Sequence, residues 1–213
     1  MNEIRRYAGI RAGTEFPESH VTAAAQEILT IAEPKGCYEF FDYDSFRGAI
    51  LDKQGSPILD LEGSAIQNHL AKAERVVLMA VTIGELVENI IAEHFKNGEY
   101  AQGLLLDAAA TTAVEIIADQ LDMYIQELGA KQGGRTLWRF SPGYGNWPLE
   151  QQGVFAKLLE LGNIGVTVTS QSILSPRKSV TAIIGIVSGE KNKAKHNTSC
   201  YACTKVDCEA RKE

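Results

Sequence analysis

The run from Arg75 to Gly84, "RVVLMAVTIG", is apolar or β-branched at nearly every position. Successive side chains of a strand leave opposite faces of its sheet, so a strand apolar at odd and even positions alike must be covered on both sides. Such a chain needs layered structure around this segment. With 213 residues and 45% hydrophobic content it is long and apolar enough to supply it.

The flanking segments supply candidate layers. From Phe16 to Gly36, Val21, Ala24, Ala25, Ile28, Leu29 and Ala32 recur at helical spacing, and Pro34 and Gly36 end the helix. The aromatic-rich "YEFFDYDSFRGAILD" reads as extended and "SPILDLEG" as a short strand, with Ser64 placed to cap a helix over "AIQNHLAKAE". After Gly84, "ELVENIIAEHFKNG" predicts a helix with Leu86, Ile90, Ile91 and His94 or Phe95 on one stripe, closing at Gly98. "GLLLDAAATTAVEIIADQLDMYIQELG" predicts a longer helix with Ala110, Ala113, Val114, Ile117, Leu121, Tyr124 and Leu128 on its stripe. "PLEQQGVFAKLLELG" reads as a helix opened by Pro148. "IGVTVTSQ" and "SVTAIIGIVSG" read as two strands, joined through "SILSPRK" as a hairpin or meander. The expected class is α+β: one domain over residues 1–188, with a mainly antiparallel twisted sheet flanked by helices, then a polar cysteine-rich tail over 189–213.

Charge excludes some functions. A net charge of −6 lacks the basic footprint that phosphate binding leaves, which argues against a nucleic-acid partner. The opening twenty residues have no apolar core of signal-peptide length, and no run reaches the roughly 18 consecutive apolar residues of a spanning helix. A cytoplasmic protein without a membrane partner is expected. The histidines, His20, His69, His94 and His196, are scattered, and no G-x-S-x-G, H-E-x-x-H or phosphate-loop pattern occurs. "GNIGVT" precedes a strand, whereas a dinucleotide loop must follow one.

The densest chemistry lies in "RFSPGYGNWP", Arg139 to Pro148. Arginine presents a planar fork of donors suited to a carboxylate or phosphate, and glycines let a ligand approach the main chain and use its N–H groups. The bland alternative is an arginine paired with a surface acid beside an ordinary Pro-Gly turn.

R-x-x-P-G-Y, followed by a proline, an amphipathic helix and two strands, resembles the S-adenosylmethionine-binding motif of the activation domain of cobalamin-dependent methionine synthase. "AVTIGELVE" and "AVEIIADQLDMYIQE" are similar to segments of free-standing members of that family, so the resemblance spans about Arg75 to Gly189. It implies a binding site for S-adenosylmethionine formed by Arg139, Ser141, Pro142, Gly143 and Tyr144. Arg139 would take the ligand's carboxylate, main-chain groups of Ser141 and Gly143 would hold its adenosyl part, and Tyr144 would lie near the sulfonium or the corrinoid. It also implies no catalytic side chain on this protein, and a partner: a corrinoid-binding methyltransferase protein carrying cobalamin, reductively methylated in trans. The alternative is a non-catalytic ligand-sensing or assembly subunit of such a system. Two departures stand out. Trp147 occupies a position where better-known members carry cysteine, and the family's N-terminal ligand-binding acid has no clear match, leaving Asp42, Asp44, Asp107 and Glu115 as candidates.

His196, Cys200, Cys203 and Cys208 are spaced to offer nitrogen and thiolate ligands to zinc, or three thiolates to an iron-sulfur cluster with Cys37 or an outside group as the fourth. A redox-active thiol or an unliganded tail are the other readings. A cluster there would suit an electron-donor partner, because reactivating a cobalt(II) corrinoid consumes one electron.

Overall fold

The computed structural model describes residues 1–11 and 13–188. The chain opens with helices α1 (Asn2–Tyr7) and α2 (Glu18–Ile31), followed by strands β1 (Lys35–Asp44), β2 (Ala49–Leu51) and β3 (Pro57–Asp60). Helix α3 (Ser64–His69) leads into β4 (Arg75–Thr82), α4 (Glu85–Lys96) and the long α5 (Tyr100–Lys131). Then come β5 (Gly134–Thr136), α6 (Gln152–Leu158), the short β6 (Thr167–Val168) and β7 (Leu174–Ser175), and β8 (Ser179–Ser188).

Six strands make one antiparallel sheet in the order β3-β2-β1-β4-β8-β5. β4 lies inside it, and Val76 to Val81 are all at most 1% exposed. Val77, Met79 and Val81 face a cluster built by α1, α2, α4 and α5, while Val76, Leu78 and Ala80 face one built by α3, α6 and the loops around them. β8 beside β4 is likewise buried on both faces, through Ala182, Ile184 and Ile186 on one and Ile183 and Val187 on the other. At about 1.5–3 kcal/mol for each large apolar side chain removed from water, these two strands are the main sink of apolar surface. α5 is long and apolar enough to cross a bilayer by length and composition; here its buried side, Leu106, Ala110, Val114, Ala118 and Ile125, covers the sheet.

The mixed architecture and the antiparallel sheet agree with the sequence, and several local expectations are corrected. "IGVTVTSQ" does not pair with β8: β6 and β7 form a separate two-stranded ribbon, while β8 lies between β4 and β5. Only two residues of that segment are strand, because its apolar Val166 is spent in the α6-side core. On α4 the buried positions are Val87 and Ile91, with Leu86 47% exposed, since the helix turns its Val87 side to the sheet. On α5 the stripe runs through Ala118 and Ile125, leaving Tyr124 out against Tyr38. A one-turn 3-10 segment, Leu149–Gln151, precedes α6, so Pro148 stands before the first helical turn. Nor does Ser64 cap α3: Gly63 holds the cap position, and the loop residue Asn146 supplies the capping oxygen to the Ala65 N–H at 2.9 Å.

Two consequences are measurable. Gly63 has φ +97, and a Cβ there would sit 2.4 Å from the Asn146 carbonyl oxygen. Gly63→Ala is therefore expected to cost about 1–3 kcal/mol in denaturant unfolding and to loosen the Asn146 loop. Tyr43 is 6% exposed, and its hydroxyl has no hydrogen-bond partner among the described residues. Burial, then the neighbouring Asp44 carboxylate, push its pKa up to about 12. The raised value means that stability is fully present below the phenol's ordinary range near 10 and is lost as pH rises through 12. Tyr43→Phe is expected to leave neutral stability unchanged or higher and to flatten the alkaline fall, read by melting temperature against pH.

Candidate functional site

After β5 the chain continues along the outer side of β8. The Leu137 N–H donates to the Gly185 carbonyl, and Phe140 and Ile183 exchange both main-chain hydrogen bonds, at 2.9 and 2.8 Å. Between these points the chain advances from 137 to 140 while β8 goes only from 185 to 183, leaving an extra residue. That is the count of a β-bulge, which re-aims side chains locally. Trp138 turns to the α3 face, its ring 4.3 Å from that of His69 and its carbonyl accepting from His69 Nε2. Burial lowers the His69 pKa, consistent with a neutral ring. Arg139 goes instead to α5.

There the guanidinium is held by two carboxylates. Nη2 donates to Glu115 Oε2 at 2.7 Å and Nη1 to Asp119 Oδ1. Glu115 and Asp119 are four residues apart and Asp122 follows at seven, so one helical face carries three acids. Burial works against the Arg139 charge, but Asp119 and Glu115, with Asp122 beyond them, outweigh it and hold its pKa above the ordinary value. α1 reaches the same region: the Arg6 guanidinium lies 4.1 Å from the Tyr7 ring centroid, and burial first, with Glu115 contributing, raises the Tyr7 phenol pKa.

The rest of the loop is a double turn. Tyr144 N–H donates to Ser141 C=O at 3.0 Å across Pro142 and Gly143, and Gly143 has φ +90, the geometry of a type II turn. Gly143 N–H donates to Trp147 C=O, and Trp147 N–H to Tyr144 C=O. This corrects the expectation that the bend leaves its N–H groups available: those of Gly143 and Tyr144 close the loop on itself. The Ser141 N–H makes no hydrogen bond among the described residues.

Phe140 and Trp147 are core residues, 7% and 2% exposed, whereas Tyr144 is 46% exposed and rests edge-on against Phe140. Trp147 Nε1 donates to Gln151 Oε1 at 2.6 Å, and Gln151 Nε2 donates to the Asp60 carbonyl at 2.8 Å, tying the loop to the end of β3. The tryptophan is an anchor.

Of the candidate acids, the fold brings only Glu115 to Arg139. Asp107 pairs with Lys178 at 2.9 Å, Asp42 lies 3.8 Å from Arg75, and Asp44 accepts the N–H groups of Phe46 and Arg47. Asp119 was not singled out by sequence reasoning, although the spacing of Glu115, Asp119 and Asp122 carries the signal. α1 had none, since its six residues are too few for a periodic pattern. The Cys200, Cys203 and Cys208 set, with His196, lies outside the described residues. Among the described residues no group of three His, Cys, Asp or Glu side chains is placed to hold a metal ion.

The result is a mixed helix and sheet domain with a bulged loop running along β8 beyond the end of β5. It is similar to a crystal structure of the MetH reactivation domain bound to AdoHcy, with a TM-score of 0.64 and 16% identity over 90% of this chain and 77% of that one. At that identity the likeness is one of fold. No protein-family model and no curated protein matches the chain.

Trp147→Phe keeps the ring but removes the indole donor, so Gln151 loses its 2.6 Å partner. The expected cost is about 1–3 kcal/mol in chemical denaturation, with protease cleavage near Tyr144 accelerated.

Proposed function

We propose that the protein binds S-adenosylmethionine at the Arg139 loop and supports reductive methylation of a corrinoid held by a separate methyltransferase protein. The observation that carries this reading is the meeting of Arg139 with Glu115 and Asp119 beside the Ser141–Tyr144 turn, in a fold similar to one crystallised with AdoHcy. AdoHcy is the demethylated form of the proposed ligand.

The donor set fits a zwitterionic amino acid that also carries a sulfonium. An arginine fork complements the ligand's carboxylate, and the acids that now hold it complement its ammonium and its positive sulfur. Binding is then an exchange of partners, in which Arg139 leaves a carboxylate of α5 for that of the ligand. The exchange limits the net gain from the arginine, because one charge-assisted contact is given up for another. The exposure of Tyr144 beside the turn supports a contact there with a bulky ring approaching from outside.

The bound methyl donor would supply an electrophilic methyl group to reduced cobalt on the partner, a displacement that needs no general base. The protein's contribution is placement: fixing one reactant removes orientational freedom that can be worth several kcal/mol. Zinc or an iron-sulfur cluster in the 189–213 tail, and an electron-donor protein, remain proposals resting on its cysteine spacing.

Titration calorimetry with S-adenosylmethionine tests the reading. Arg139→Lys, which keeps charge but loses the fork, is expected to weaken binding by about tenfold or more without lowering the melting temperature comparably. Equal affinity in wild type and variant removes Arg139 from the site. Binding without support of corrinoid methylation favours the sensing or assembly subunit.

A further inference from the structure

Among the described residues the sheet has a long unpaired margin. β2 pairs with β1 only at Asp42, Tyr43 and Asp44, so among the described residues the outer side of Lys35–Phe41 carries no neighbouring strand. Lys35, Gly36, Tyr38 and Glu39 are exposed there. Beyond Leu51 the β2–β3 connection stands across from this edge over a cleft of about 450 Å³ lined by Phe40, Phe41, Asp42, Leu51, Lys53 and Ile58. An edge of this kind, without proline or bulge, is a template for another strand.

We propose that it pairs with the same edge of a second copy, antiparallel and centred on Tyr38. The residues themselves select this register. With Tyr38 on the two-fold axis, Lys35 to Phe41 pair with one another, and Pro34 of each copy comes level with Asp42 of the other, where β2 begins its pairing and the new ladder ends. On the α5 side, Tyr38 lies opposite Tyr38 of the second copy. Phe40 lies opposite Gly36 of that copy, an aromatic ring covering a bare glycine. On the other side, Lys35 lies diagonal to Glu39 of the second copy, and the symmetry makes this pair twice. Shifting by one residue toward β2 places Lys35 opposite Asp42, where Leu51 already sits.

The contact is isologous and therefore closes as a dimer instead of growing into a fibre. Its flank is apolar as well: Tyr38 packs edge-on with Tyr124, and Met123 beside it is 46% exposed. β4 and β8 stand between this edge and the Arg139 segment, so the dimer keeps both loops open.

Sedimentation equilibrium of the full chain is the test. A dimer is expected for wild type, and Tyr38→Lys, which sets two like charges face to face, is expected to raise the dissociation constant by about tenfold or more. Lys35→Glu and Glu39→Lys are each expected to weaken the dimer, and together to restore it. All three positions are exposed, and circular dichroism checks that the variants fold. A monomeric wild type, or a dimer indifferent to Tyr38→Lys, overturns the proposal; so does a double variant no tighter than either single one.

Discussion

The reciprocal hydrogen bonds between Phe140 and Ile183 decide where everything chemical in this protein sits. They stitch an irregular segment to the outer side of β8, whose inner side is fixed by eight paired positions with β4. Because β4 and β8 are buried on both faces, the strand that receives the loop cannot shift without exposing the core. The bulge before Phe140 sets Leu137 and Trp138 on the same, α3-side face and so turns Arg139 toward α5. One added residue decides which side chain of this segment reaches the α5 acids.

From that point the loop is over-determined. Trp147 enters the core, Gln151 ties it to β3, Asn146 caps α3, and Gly63 allows an approach that a Cβ would block. Each of these contacts joins segments more than eighty residues apart or closes the loop locally. The density of glycine, proline and aromatic residues between Arg139 and Pro148 is mostly explained by this anchoring. Only Gly143, Tyr144, Gly145 and Asn146 remain exposed at its tip.

Electrostatics places Arg139 in a balanced setting. Desolvation disfavours its charge, and the α5 acids more than offset that penalty. An ion pair of this kind contributes little net stability compared with apolar side chains of equal volume, so it is a weak reason for three acids on one helix face. It does create a place where a ligand bearing both charges can exchange partners with the protein at modest cost.

The sequence by itself determined the covered central strand, the helices α2, α4 and α5, the mixed class and the chemical type of the loop. Those properties follow from periodicity and residue chemistry, which are local. Only the tertiary structure decided that Asp119 joins Glu115 at the arginine and that Asn146, not Ser64, caps α3. It likewise decided that Val166 belongs to a core and not to a long strand, and that six residues of α1 make a helix against α5. Each of these rests on groups distant in the chain competing for the same hydrogen bond or the same buried space, and such competition leaves no periodic trace in the order of the residues.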